Sequence, residues 1–189
     1  MDKILVVSTA AKGAEALSSL LRQIGGNADI TISVSGSDAR GKVLDLNLDL
    51  VLINAPLLDE SGVELARMIV EETLSPVIMV VRSDFFTDLQ SQMEQYGVLV
   101  VEKPIIRELF VQTVGISHSL RRRLVGMQLE NDRLQKKIDE IKLVDQAKWA
   151  LMSNLGMEEA QAHKYIEKQA MDQRKSRSEI ANGILRTYR

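Results

Sequence analysis

The sequence predicts an α/β domain with a parallel sheet in front and an all-α segment behind. Three observations predict it. Short β-branched runs alternate with helical patterns over roughly the first 110 residues. No proline and no strong break interrupts the chain from Ile105 to Gly156. Beyond Gly156 the apolar spacing is helical throughout, with no strand-like run.

The front elements follow in order. Lys3–Ser8 (KILVVS) reads as a buried parallel strand. Ala14–Ile24 has helical spacing at Ala16, Leu17, Leu20, Leu21 and Ile24, and Gly25-Gly26 stops it. Asp29–Val34 is a strand, Asp38–Leu46 a helix, Asp49–Ile53 a third strand and Gly62–Glu71 a helix. Pro76 introduces the strand Val77–Val81. Phe86–Gln95 is helical, and Val98–Val101 is the fifth strand, followed by Lys103-Pro104. Five such units fit a five-stranded parallel, flavodoxin-like sheet with helices on both faces.

Composition limits the chemistry. The 189 residues contain no cysteine, which excludes disulfides, thiolate catalysis and cysteine-zinc sites. His118 and His163 are the only imidazoles, too few for a histidine-rich metal site. No metal or cofactor is expected. No apolar run approaches the roughly 18–20 residues of a membrane span, and Met1–Ser8 does not resemble a signal peptide, so a cytoplasmic protein is expected. Charge is uneven. Residues 1–117 hold nine Lys and Arg against sixteen Asp and Glu; residues 118–189 hold fifteen against ten. An acidic front and a basic back suit a regulatory module joined to a polyanion-binding one.

In a flavodoxin-like sheet, ligands sit at the carboxyl ends of the strands. The residues there are Ser8-Thr9, Asn54, Val81 or Ser83, and Lys103. The segment DLVLINAPLLDESGVEL, with Asn54 eight residues before Gly62, and the segment VVEKP resemble the receiver domain of bacterial response regulators. The resemblance covers residues 3 to about 114. It implies a phosphoacceptor aspartate at Asn54, an acidic magnesium-binding pair at Ser8-Thr9, a switch hydroxyl at Val81 and a phosphoryl-contacting lysine at Lys103. Only Lys103 retains the family's residue. An amide is not a carboxylate nucleophile, and two hydroxyls are poor magnesium ligands. A slip of two residues would put Ser83 at the hydroxyl position without restoring the acids. The expectation is a pseudo-receiver, with Lys103 reduced to a strand-end lysine before a proline.

The long helix that follows carries a heptad pattern. Leu120, Met127, Leu134 and Ile141 occupy d, and Leu124, Asn131 and Ile138 occupy a. A single Asn at an a position fixes register and a two-stranded state, so a homodimer through these residues is expected. A helix packed on its own domain is the competing reading. Arg121, Arg122 and Arg123 form either a phosphate-contacting patch or a solvated face.

Behind the seam, Val144, Ala147, Leu151 and Leu155 turn toward a new core, and Gly156 is a natural helix stop. A second helix from about Glu158 to Gln173 buries Ala162, Ile166 and Ala170. Ser176-Arg177-Ser178-Glu179 has the form of a capping box and opens a third helix. Its apolar side carries Ile180, Ala181, Ile184, Leu185 and Tyr188; Asn182, Arg186 and Arg189 share the other face. Ala147-Lys148, Leu151-Met152, Leu155-Gly156, Ala160, Ala170-Met171, Arg174, Ser176 and Ile180-Ala181 resemble the ANTAR domain, the RNA-binding output of AmiR- and NasR-type transcription antiterminators. Trp149 departs from the pattern, where a small residue is usual.

That resemblance implies binding to paired hairpins of a leader transcript, which prevents a terminator from forming. The candidate RNA contacts are Lys148, Lys164, Lys168, Arg174, Lys175, Arg177 and Arg186. Trp149, Tyr165 and Tyr188 could stack on bases, with core packing favoured for Tyr188. The expected division is a receiver-like domain at 1–114, a coiled-coil helix at 115–143 and the RNA-binding module at 144–189. The expected protein is a non-enzymatic antitermination regulator controlled by dimerisation and by a ligand-sensing regulatory protein. A DNA-binding response regulator and a protein-interaction adaptor are the alternatives.

Overall fold

The computed structural model describes residues 3–188; Arg189 lies outside them. The chain divides into two compact units, Met1–Gly126 and Met127–Arg189, each with its own core.

The first unit contains β1 (Lys3–Val7), α1 (Ala11–Gly25), β2 (Asp29–Ser33), α2 (Gly36–Asp45), β3 (Leu50–Asn54), α3 (Val63–Glu72), β4 (Val77–Arg82), α4 (Ser83–Glu94) and β5 (Leu99–Lys103). It ends in the first turns of α5 (Arg107–Leu155). The strands form a parallel sheet in the order β2-β1-β3-β4-β5, the doubly wound order expected of the alternating pattern. Successive side chains of a strand point to opposite faces, and the two sides of the sheet are both dry. Leu5, Val7, Val51, Ile53, Met79 and Val81 pack under α2, α3 and α4 through Ala39, Val43, Leu65, Ile69 and Met93. Ile4, Val6, Leu50, Leu52, Ile78 and Val80 pack under α1 and α5 through Leu17, Leu21, Phe110 and Val114. Burial on both faces is why these strands read as continuous apolar runs.

Several boundaries differ from the sequence reading. β3 and β5 run on to Asn54 and Lys103, so both residues sit at strand ends. Helix α4 starts at Ser83, directly after β4, three residues before the predicted Phe86. Asp84 in its first turn suits the positive helix end, and the polar stretch that reads as a loop is helical.

Arg121 corrects the reading of the Arg121–Arg123 run. It is buried, unlike its two neighbours. Its Nε donates to Asp49 Oδ1 at 2.8 Å, one terminal nitrogen to Asn47 Oδ1 at 2.6 Å and the other to the Leu74 carbonyl at 3.2 Å. All three partners precede β3 or β4, so the guanidinium pins α5 to the amino end of the sheet. It is an internal clamp.

The second unit holds the rest of α5, then α6 (Glu159–Gln173) and α7 (Arg177–Thr187). Its core is Ala147, Leu151, Ala162, Ile166, Ile180, Ala181 and Ile184, with Val144, Ala170, Leu185 and Tyr188 packed around it. Leu155, expected inside, is 47% exposed: it is the last residue of α5, where the helix stops at Gly156. Gly156 (φ 64°) takes the left-handed conformation that stops the helix.

Replacing Arg121 by Ala removes the guanidinium bonds to Asp49, Asn47 and the Leu74 carbonyl. It is expected to destabilise the chain by about 2–4 kcal/mol in urea unfolding. Arg122→Ala and Arg123→Ala, at exposed positions, are expected to stay within about 0.5 kcal/mol of wild type.

Candidate nucleic-acid interface and the receiver-like site

The carboxyl ends of the strands bring together three of the residues singled out there. Asn54 Nδ2 donates to Ser8 Oγ at 2.9 Å, and Ser8 Oγ donates to the Ala10 carbonyl at 3.1 Å. Lys103 Nζ donates to the Ala55 carbonyl at 3.2 Å. Burial, and then the charge of Arg82, hold the Lys103 ammonium below its usual pKa. Thr9 is exposed, and Val81 is a buried core residue with no hydroxyl to offer. Ser83 Oγ donates to the Lys103 carbonyl at 2.8 Å, which ties the start of α4 to the end of β5.

The loop acids are committed elsewhere. Asp59 accepts from the N–H groups of Gly36 and Ser37, both at 2.9 Å, and so caps α2; these bonds hold its carboxyl below the usual range. Glu60 takes both terminal nitrogens of Arg40, at 2.6 and 2.8 Å. That contact requires glycine at position 36, where a Cβ would collide with the Glu60 carboxylate. Neither role is marked by the local sequence. The signal was faint: Asp59-Glu60 reads as ordinary loop polarity.

The donors around Asn54 do not fit magnesium. The ion prefers anionic oxygens, and here it would meet an amide and a hydroxyl already bonded to each other. A Cβ at Gly13 would lie 2.7 Å from Asn54 Nδ2, so α1 closes tightly over the amide. Among the described residues, no cluster of His, Asp and Glu could hold a metal ion.

The second unit presents cations. Lys164 and Lys168 are exposed and lie one turn apart on the face of α6 opposite Ala162 and Ile166. Arg174 ends α6 in the left-handed conformation (φ 52°), the only non-glycine residue with positive φ among those described. Its N–H bonds back to Ala170 and Met171. Lys175 is exposed beside it, with Nζ 3.2 Å from Gln173 Oε1. Arg177, 3.9 Å from Glu167, opens α7, and Arg186 is exposed in its last turn. Ser176 and Glu179 form the expected capping box. Their bonds hold the Glu179 carboxyl below its usual pKa, first through the Ser176 N–H and then through its hydroxyl.

Lys148 stands apart from this group. Its side chain is 15% exposed and bridges Asp145 at 2.8 Å and Glu159 at 2.9 Å, joining α5 to α6. Those carboxylates raise its pKa, Asp145 first. Trp149 is 68% exposed, and Tyr165 is 39% exposed.

The α5 heptad residues show an uncovered seam. Leu120 and Leu124 in the first unit, and Met127, Leu134, Ile138 and Ile141 in the second, are between 38% and 61% exposed. Asn131 is exposed among them.

Residues 132–185 match the ANTAR domain family. The chain carries an ANTAR domain behind a domain of receiver fold, the architecture of an ANTAR response regulator. It is similar to the transcriptional regulatory protein PdtaR of Mycobacterium tuberculosis, strains CDC 1551/Oshkosh and ATCC 25618/H37Rv. Each is 26% identical over 140 residues, covering 74% of this chain and 68% of the relative. Solved structures agree on the receiver fold. One is a CheY-like response regulator receiver domain protein from Methanospirillum hungatei JF-1, with TM-score 0.56 and 16% identity, covering 65% of this chain and 98% of that one. Another is the beryllofluoride-activated NtrC4 receiver domain dimer, with TM-score 0.57 and 22% identity, covering 64% and 99%. The ANTAR match begins at residue 132, inside α5.

Arg174→Gly is expected to relieve the left-handed strain and stabilise the chain by about 0.5–1 kcal/mol in thermal or urea unfolding. An unchanged or lower stability would mean that the Arg174 side chain is held by contacts that offset its conformational cost.

Proposed function

We propose that the chain is a non-enzymatic transcription antitermination regulator that binds hairpin RNA of a leader transcript through its ANTAR domain. The observation that carries this is the row of exposed cations along α6 and at its end. Lys164, Lys168 and Arg174 have no acidic partner among the described residues, and Lys175 and Arg177 lie beside them. Phosphates are held by such cations, and RNA loops are read by polar and stacking contacts beside them. Arg186 extends the surface, whereas Lys148, committed to two carboxylates, contributes less. No separate recognition helix for a DNA major groove stands out in this three-helix unit.

Control is proposed to be non-phosphorylatable. Asn54 offers an amide bonded to Ser8 where a carboxylate nucleophile is required. Residues 1–114 then act as a pseudo-receiver, 115–143 as a coiled-coil helix and 144–189 as the RNA-binding module. The uncovered seam from Leu120 to Ile141 supports a parallel homodimer with Asn131 pairing across the axis. A ligand-sensing protein that binds one state of the seam better than the other would supply the switch.

Two measurements test this. Incubation with acetyl phosphate followed by intact-mass analysis is expected to give no phosphoryl adduct; a stoichiometric adduct would overturn the pseudo-receiver. In the second, Arg174, Lys175 and Arg177 are changed together to Glu, and Leu134 separately to Lys. The triple variant is expected to lose two-hairpin RNA binding by more than about a hundredfold and to flatten its salt dependence. Leu134→Lys is expected to sediment as a monomer and to bind a single hairpin as wild type does. Full RNA binding by the triple variant would favour a protein-interaction adaptor.

A further inference from the structure

A cleft of about 320 Å³ lies between α6 and α7. Tyr165 and Tyr188 present phenol rings to it. Gln169, Gln173 and Lys175 line another side as a hydrogen-bonded ladder: Gln173 Nε2 donates to Gln169 Oε1 at 2.8 Å, and Lys175 Nζ donates to Gln173 Oε1 at 3.2 Å. The Gln169 amide group and the second Gln173 N–H are left free to donate. From α7 and its C-terminal end, Gly183, in the helix interior, lines the cleft together with Glu179, Ile180, Ile184 and Thr187.

Glycine is the weakest helix former apart from proline. Nothing in the packing requires it at position 183, because a Cβ there would meet open space. The missing side chain leaves the cleft floor flat and open. Aromatic faces, amide donors and a bare floor together suit a planar, polar-edged ring, and such a ring stacks on tyrosine whatever its sequence context. Lys175, itself a lining residue, supplies a cation at the cleft that could hold a phosphate of the backbone.

We propose that this cleft receives one unpaired nucleobase from the RNA loop. The inference rests on the RNA-binding reading above and adds the position at which the loop is read. Gly183 keeps the cleft empty, Tyr165 and Tyr188 provide the stacking surface, and the Gln169–Gln173–Lys175 ladder meets the base edge.

The test uses the full chain and a library of RNA hairpins with randomised loops. The best-bound hairpin is remade with an abasic nucleotide at each loop position in turn, and binding is measured by fluorescence anisotropy. Wild type is expected to lose about tenfold or more at one abasic position. Gly183→Met, which fills the cleft, is expected to weaken the intact hairpin by a similar factor and to bind that abasic hairpin as wild type does. Tyr165→Ala, at an exposed position, is expected to show the same loss of sensitivity, and it keeps the test open if the Met variant folds poorly. Hairpin binding with no abasic position coupled to either variant would overturn this inference and leave the RNA reading standing. Failure of every hairpin to bind better than matched duplex DNA would overturn both.

Discussion

The left-handed turn at Arg174 is the constraint on which the output unit depends. It ends α6, and its N–H closes the helix onto Ala170 and Met171. Two residues later Ser176 and Glu179 start α7 by satisfying each other's backbone donors. A glycine would make the same turn at lower conformational cost. An arginine there places a cation on the outside of the turn, next to Lys175 and Arg177. The reversal that builds the core of Ala162, Ile166, Ile180 and Ala181 therefore also gathers charge at one end of it.

The first unit has a receiver fold with a closely bonded set of polar groups at the carboxyl edge of its sheet. Alternating residues bury both faces of the sheet and bring Asn54, Ser8 and Lys103 to the carboxyl edge, where a receiver would carry out phosphoryl transfer. Several polar groups there have local partners. The Asn54 amide donates to Ser8, Asp59 caps α2, and Glu60 is locked to Arg40 over Gly36. The surroundings thus match an amide, and the acids that remain nearby are held by other groups.

Periodicity made the fold legible. Parallel strands buried on two faces appear as apolar runs, and Gly26 and Gly156 stop helices where the spacing stops. The capping box at Ser176 was visible because its spacing is fixed by helix geometry. Boundaries at α4 and β5 shifted because backbone hydrogen bonds begin before the first apolar side chain of the helix and continue past the last one of the strand. Long-range pairings were not legible. Nothing local marks Arg121 as the partner of Asp49 and Asn47, more than seventy residues away in sequence, or sets it apart from Arg122. Lys148 looked like any other lysine of the basic half until Asp145 and Glu159 were found on either side of it. The glutamine ladder and the open floor at Gly183 depend on two helices meeting, which no single helix pattern records.

The central claim is that the helical trio at the back of the chain grips folded RNA. Competition binding at moderate salt tests it most directly, with a labelled two-hairpin leader RNA challenged by unlabelled stem-loop RNA or by duplex DNA of the same length. The account predicts that stem-loop RNA displaces the probe at far lower concentration than the duplex. Equal displacement by both would contradict it and return the basic surface to a general attraction for polyanions.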